Sequence, residues 1–153
     1  MKPEKTLELR KQIQQFVRQF GLMDGHKTPC GFPLSVSQVY ALEELEKQQR
    51  SVTELAGHLH LERSSVSRLV DALVKEEFVR RDINEANRRE LILTLTDKGS
   101  RVLNQVREQS LQFYEQIFGV LPDEDHALIH EAFGKLNIAL SNYLGKEHPN
   151  DTE

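Results

Sequence analysis

Apolar residues recur at helical spacing over most of this chain, and the breaks in that pattern mark its turns. Between Glu4 and Leu22 they fall at Leu9, Ile13, Phe16, Val17 and Phe20, while Arg10, Lys11, Gln14, Gln15 and Arg18 take the other face. That spacing predicts an amphipathic helix. Met23 to Leu34 interrupts it with Gly25, Pro29, Gly31 and Pro33, and predicts a loop. Ser35 and Gln38 then have capping-box spacing ahead of Val39, Leu42 and Leu45. A second helix follows from there and ends in Glu46-Lys47-Gln48-Gln49-Arg50, with cations in its last turn as the helix dipole favours.

The pattern tightens between Ser51 and Gly99. Ser51 and Glu54 again have capping-box spacing, with Thr53 as the alternative cap, and Leu55, Ala56 and Leu59 give a short helix. His60-Leu61-Glu62 reads as a turn. A further helix spans about Arg63 to Glu77, with Val66, Leu69, Val70 and Leu73 as its core stripe. At 100° per residue, Ser64, Arg68, Asp71 and Lys75 fall on the opposite face, with Ser65 and Ser67 beside them and Arg63 nearer the core edge. Phe78-Val79-Arg80-Arg81 and Leu91-Ile92-Leu93-Thr94-Leu95 read as two strands of a hairpin, with Ile92 and Thr94 on the polar face. The polar tip, Asp82 to Glu90, carries Asn84, Asn87, Arg88 and Arg89. A buried helix with small hydroxyls and a long cation on its open face, next to a basic hairpin, suits the reading of duplex DNA.

Thr96 is placed to cap a long helix from about Asp97 to Phe118, which Gly119 and Pro122 end. A last helix spans about Asp123 to Leu144, and the chain from His148 reads as frayed. The terminal helices carry more apolar surface than the central segment can cover. They bury one another across a two-fold axis, which is the expectation, or form a monomeric bundle. The division expected is a reading region over 35–99 and a helical dimerisation region over 1–34 and 100–153.

Composition changes this picture little. The chain has 153 residues and a formal net charge of −4, which gives no bulk attraction to nucleic acid. Between Arg63 and Arg89, seven cations face five acids, so placement rather than charge excess must carry any DNA contact. A lone cysteine, Cys30, excludes an internal disulfide and fits a reducing compartment. With no apolar run long enough for a signal peptide or a membrane span, a cytoplasmic protein is expected, with no membrane partner.

The ordered run Val52-Thr53-Glu54-Leu55-Ala56, Ser64-Ser65-Val66-Ser67-Arg68-Leu69-Val70-Asp71-Ala72-Leu73, Phe78-Val79-Arg80-Arg81, Asn87-Arg88-Arg89 and Leu95-Thr96-Asp97-Lys98-Gly99 resembles the MarR family of bacterial winged-helix transcriptional regulators. The resemblance is sharp over about Ser35 to Gly99. It implies a mainly α fold: a winged helix-turn-helix with a two-stranded β-hairpin wing, and a helical dimerisation lobe from the N- and C-terminal helices. It further implies a cytoplasmic homodimer that binds a pseudo-palindromic operator in double-stranded DNA, a repressor released by a small-molecule effector. Ser64, Ser65, Ser67 and Arg68 match recognition-helix positions and Arg89 the wing arginine, with Arg63, Arg81 and Arg88 as further DNA-contact candidates. Asn87 stands where the family has a carboxylate bracing that arginine. Either Asn87 accepts a weaker hydrogen bond, or Arg88, Asp82 and Glu85 share the role, or the wing is looser. The family's effectors, small aromatic or anionic molecules, bind where the reading lobe meets the dimer helices, and Phe32 and Tyr40 are the candidates to line such a cleft.

Other chemistry is weaker. Cys30 is a redox candidate, but it lies in the Gly/Pro loop with only Lys27 and His26 as nearby cations. His126 and His130 are four apart on the last helix and could share a metal, although a surface pair is the plainer reading, and no metal or cofactor is expected. No nucleophile–base set, phosphate-cradling glycine loop or βαβ pattern is present, so an enzyme is excluded. The competing functions are a winged helix that binds protein instead of DNA, which the acidic balance favours slightly, and a redox- or metal-responsive regulator on the same scaffold.

Overall fold

A computed structural model describes residues 1–23 and 25–147; the stretch from His148 lies outside the described residues. The described part is mainly helical, with a small three-stranded antiparallel sheet in the order β1-β3-β2. The elements are α1 (Pro3–Gln19), α2 (Val36–Lys47), β1 (Arg50–Ser51), α3 (Val52–Leu59), α4 (Arg63–Lys75), β2 (Val79–Ile83), β3 (Leu91–Leu95), α5 (Asp97–Phe118) and α6 (Asp123–Glu147). By compactness the chain divides between Leu111 and Gln112, within α5.

In the first unit, α2, α3, α4, the sheet and the start of α5 enclose one core. Leu42, Leu55, Val66, Val70, Leu73, Leu93 and Leu103 are fully buried in it. Both expected capping boxes form. Ser35 Oγ accepts from the Gln38 N–H at 3.1 Å while Gln38 Oε1 accepts from the Ser35 N–H at 2.9 Å. Ser51 and Glu54 do the same at 3.1 and 2.8 Å, so Ser51 rather than Thr53 caps α3. His60 closes α3 in the left-handed region at φ 52°, and α4 starts three residues later.

Two features depart from the sequence expectation. α2 stops at Lys47, and Arg50 turns into β1, where it faces Leu93 across the ladder. There Arg50 is 7% exposed, held by Glu44 Oε2 at 3.0 Å and by the His58 ring at 2.7 Å. The hairpin is therefore joined by a third, two-residue strand. Likewise α4 ends at Lys75, two residues early, because Glu77 takes a left-handed φ of 62° and lets the Phe78 N–H return to the Leu73 carbonyl at 2.9 Å.

The entry to α5 shows why threonine and glycine stand three apart. Thr96 Oγ1 accepts from the Gly99 N–H at 3.0 Å and donates toward the carbonyls of Glu77 and Phe78. This hydroxyl pins α5 to the start of β2. Gly99 lies against the Phe78 carbonyl so closely that a Cβ built there would be 2.2 Å from the oxygen.

The second unit holds the end of α5 and α6. Tyr114 and Phe118 stack at 5.8 Å, and the His126 ring meets the Phe118 carbonyl at 2.8 Å. Most large apolar side chains on α6 are exposed in the single chain, including Leu128, Leu136, Ile138 and Leu140. On α1 the same holds for Leu7, Leu9 and Ile13.

Candidate nucleic-acid interface

The open side of α4 and the inner side of the hairpin bound a cleft of about 510 Å³. Arg63, Ser67 and Asp71 line it from α4, Arg81, Leu91 and Glu90 from the hairpin, Asn87 and Arg89 from its tip, and Val52 and Thr53 from the start of α3. The helical members recur every four residues, so they stack along one side of α4. Ser64 and Arg68 lie about 100° further round, exposed and turned outward from the core stripe, with Lys75 below them. Ser65 is half-buried on the far flank. The structure thus separates the recognition-helix candidates into a row facing the wing and a row facing outward.

The cations differ in what holds them. Arg81 is pinned by an ion pair to Asp71, which ties β2 to α4 across the cleft. Arg80 pairs with Asp82 at 2.7 Å on the outer face. Arg63, Arg68, Arg88 and Arg89 are exposed, and their guanidinium groups have no hydrogen-bond or ion-pair partner among the described residues. Arg63 and Arg89 line the cleft itself, Arg88 lines the hollow beside it and Arg68 lies on the outward row of α4, so unpaired positive charge is spread over α4 and the wing of a chain of net charge −4.

The wing tip is built from backbone turns. Asn84 Oδ1 accepts from the Ala86 N–H at 3.0 Å, and Asn87 Oδ1 accepts from the Arg89 N–H at 3.3 Å. The Asn84 N–H reaches the Glu90 carbonyl at 3.0 Å and closes the loop. Asn87 therefore fixes the backbone of Arg89, not its guanidinium. Asp82 is engaged by Arg80, and the brace across the cleft comes from Asp71. Helical period puts Asp71 on the open face of α4 but gives no sign of this role. Thr53 and Leu91 were also missed; their only sequence signal was a polar second position in α3 and an apolar residue at the hairpin tip.

A second cleft of about 600 Å³ lies elsewhere in the same unit, lined by Phe32, Leu34 and Gln38, by Ala72, Leu73 and Lys75 at the end of α4, and by Glu76, Phe78 and Val102. Phe32 belongs to it. Tyr40 does not line it and is 53% exposed. Cys30 is half-buried beside Thr28 Oγ1 at 3.0 Å and Ser110 Oγ at 3.4 Å. Burial pushes its thiol up, but the hydrogen bonds from Ser110, Thr28 and the backbone together hold it below its ordinary value. Among the described residues no group of three or more His, Cys, Asp or Glu side chains is placed to hold a metal, and His126 turns to the Phe118 carbonyl. Among them, too, no helix is long and apolar enough to cross a membrane.

Residues 34–91 match the model of the MarR family. The HTH-type transcriptional regulator YvnA of Bacillus subtilis is 31% identical over 126 residues, which cover 78% of this chain and 80% of that one. The chain belongs to the MarR family. Proteins of the MarR family are transcriptional regulators and not enzymes, and this chain is one of those regulators. The regulator YpoP of Bacillus subtilis is 29% identical over 92 residues, 60% of this chain and 65% of that relative, so the match spans just under two thirds of its length. In fold, a MarR family protein from Bacillus stearothermophilus aligns over 92% of this chain and 99% of its own, with a TM-score of 0.74 at 21% identity. Within the MarR family frame, α3 and α4 are the helix-turn-helix and β2–β3 the wing.

Proposed function

We propose that this MarR-family regulator is a homodimeric repressor that binds an inverted repeat in duplex DNA and leaves it when a small effector binds. The observation that carries the DNA reading is the set of four guanidinium groups left unpaired among the described residues on α4 and the wing: Arg63 and Arg89 in the cleft, Arg88 in the hollow beside it and Arg68 on the outward row of α4. In this reading α4 enters the major groove, Ser64, Ser65, Ser67 and Arg68 meet base edges and phosphates, and the wing arginines follow the backbone. Arg81 contributes charge while Asp71 holds it in place.

The dimer reading is supported by the apolar side chains left in water on α1 and α6, which a second copy would cover: Leu7, Leu9, Ile13, Leu128, Leu136, Ile138 and Leu140. These helices are the proposed dimerisation region, and the two recognition helices would then read half-sites about one helical turn apart. The effector reading is supported by the Phe32 cleft. It has apolar walls and a few polar groups, Gln38, Lys75 and Glu76, and a ligand there would press on the end of the recognition helix.

The test is a titration against duplex selected by the protein from a randomised pool. Arg68→Ala is expected to weaken binding by about tenfold or more on the selected sequence and little on mixed DNA, as a base-reading residue does. Arg89→Ala is expected to weaken both alike and to lower the salt slope by about one. Wild-type affinity in both variants would sink the assignment. The absence of salt-dependent binding to any duplex would favour the protein-binding alternative.

A further inference from the structure

The inner face of the hairpin starts in the core and runs out past it. In register, Val79 faces Leu95, Arg81 faces Leu93 and Ile83 faces Leu91, and the alternation of side chains puts these three pairs on one face. Val79 and Leu93 are buried, but Ile83 is 65% exposed and Leu91 46%. Two large aliphatic side chains thus stand side by side in water at the far end of the ladder. The outer face of the same ladder pairs Arg80 with Thr94 and Asp82 with Ile92. β2 is also an edge strand, where an exposed apolar residue is a liability unless something covers it.

The surroundings indicate what covers them. Leu91 forms part of the wall that carries Arg63, Arg81 and Arg89; of the two acids on that wall, Asp71 is paired with Arg81 and Glu90 accepts a hydrogen bond from Asn84. Ile83 lines the adjoining hollow with Arg81 and Arg88. The pair is therefore a short apolar ridge with guanidinium groups on both sides. Acids are present in that hollow as well, but Asp82 is paired with Arg80, and Glu85 is the one carboxylate there without a partner among the described residues. A surface that alternates cation, apolar, cation matches a nucleic-acid strand, in which phosphates alternate with sugars whose carbon–hydrogen edges form the groove walls. An acidic amphipathic peptide could also set carboxylates beside an apolar strip, and that partner is separated by the test below.

We propose that Ile83 and Leu91 form a sugar-contacting ridge on the wing, packing against deoxyribose in the minor-groove wall while Arg88 and Arg89 take the flanking phosphates. This rests on the DNA-binding reading and adds to it a part of the affinity that salt does not screen. Phosphate contacts weaken steeply as salt rises, because each releases counterions. An apolar contact on sugar does not.

The experiment measures affinity for the selected duplex by fluorescence anisotropy between about 50 and 200 mM salt. The Ile83→Ala/Leu91→Ala double variant is expected to bind about tenfold more weakly at every salt concentration, with the wild-type slope. Ile83→Ala alone, at the more exposed position, is expected to lose about threefold and to melt like the wild type. Heparin, a polyanion without a groove, should bind both variants as it binds the wild type. Wild-type affinity in the double variant would overturn the proposal and leave the ridge to a protein partner or a second copy of the edge strand. A loss that appears as a reduced salt slope, or that extends equally to heparin, would also overturn it. If the wild type itself bound no duplex, the DNA reading would fall, and the ridge with it.

Discussion

Gly99 is the position where one methyl group should do most harm. It lies in the first turn of α5, and a Cβ there would be 2.2 Å from the Phe78 carbonyl oxygen, 2.7 Å from Leu95 Cδ1 and 3.0 Å from the Phe78 carbonyl carbon. Ordinary contact begins at 3.4 Å, so helix and strand must part by about 1.2 Å, and the obstructing atom is backbone that cannot rotate away. That separation strains three further links: the Thr96 N–H to Phe78 carbonyl bond at 3.0 Å, the Thr96 hydroxyl to the same carbonyl at 3.1 Å, and the Gly99 N–H to Thr96 Oγ1 cap at 3.0 Å. Overpacking in a tight site costs about 1–3 kcal/mol, and loss of a hydroxyl cap about 1 kcal/mol. Gly99→Ala is therefore expected to lose about 3 kcal/mol in urea unfolding followed by circular dichroism. At this chain length that lowers Tm by about 6–12 °C.

The control is Gly57→Ala. Gly57 lies within α3, has an ordinary backbone conformation, and a Cβ there would meet nothing within 4 Å. Alanine is the better helix former by about 1 kcal/mol, so this variant should be neutral or slightly more stable. Both must be compared at one protein concentration, because self-association shifts the midpoint. A Gly99→Ala protein within about 0.5 kcal/mol of wild type, the scatter of ordinary surface substitutions, would refute the steric reasoning.

Two further outcomes follow from the same structure. Asp71→Ala removes the acid that holds Arg81 and frees that guanidinium for phosphate, so affinity for mixed-sequence duplex should rise and the salt slope steepen by about one; an unchanged slope would show that Arg81 is not the limiting partner. Glu46 accepts both Arg107 amines, at 2.9 and 2.5 Å, and the hydrogen bonds from Arg107 hold its carboxyl below the usual range against the effect of burial. A depressed carboxylate stabilises the fold fully above its unfolded value near about 4.3 and loses that contribution as pH falls through the folded value. Glu46→Gln should thus cost under about 1 kcal/mol at neutral pH, the pair being part-exposed, and nothing at strongly acid pH. Equal urea midpoints for wild type and variant at neutral pH would count against it.

What could be read from the chain alone was whatever is carried by neighbours in sequence. The caps at Ser35, Ser51 and Thr96 each need a partner only three residues on, and the core stripe of α4 needs only its own period. Arg50 reads from sequence as the end of a helix because its neighbours are polar and β1 is two residues long. What makes it a strand is pairing with Leu93, far along the chain, while Glu44 and His58, on the helices before and after it, capture its guanidinium. Glu77 shows the same limit. A left-handed C-terminal residue is usually glycine, and a glutamate gives no such signal.

The wing joins both halves of that lesson. Its place was legible from Asn87-Arg88-Arg89 and from the Leu-Thr-x-x-Gly spacing, yet the absence of an acid at Asn87 left the stiffness of the wing open. The structure places the stiffness in two other devices. Backbone turns capped by Asn84 and Asn87 shape the tip, and the Asp71–Arg81 pair fixes its root to the recognition helix. A carboxylate at the tip would hold Arg89 and partly neutralise it. An amide spent on the Arg89 backbone positions the residue and leaves its charge uncompensated within the protein, while the charge that is compensated, Arg81, sits where rigidity between wing and helix is needed. On the proposed DNA reading, bracing falls to Arg81 and phosphate contact to Arg89, two tasks that one acid–arginine pair would have to share.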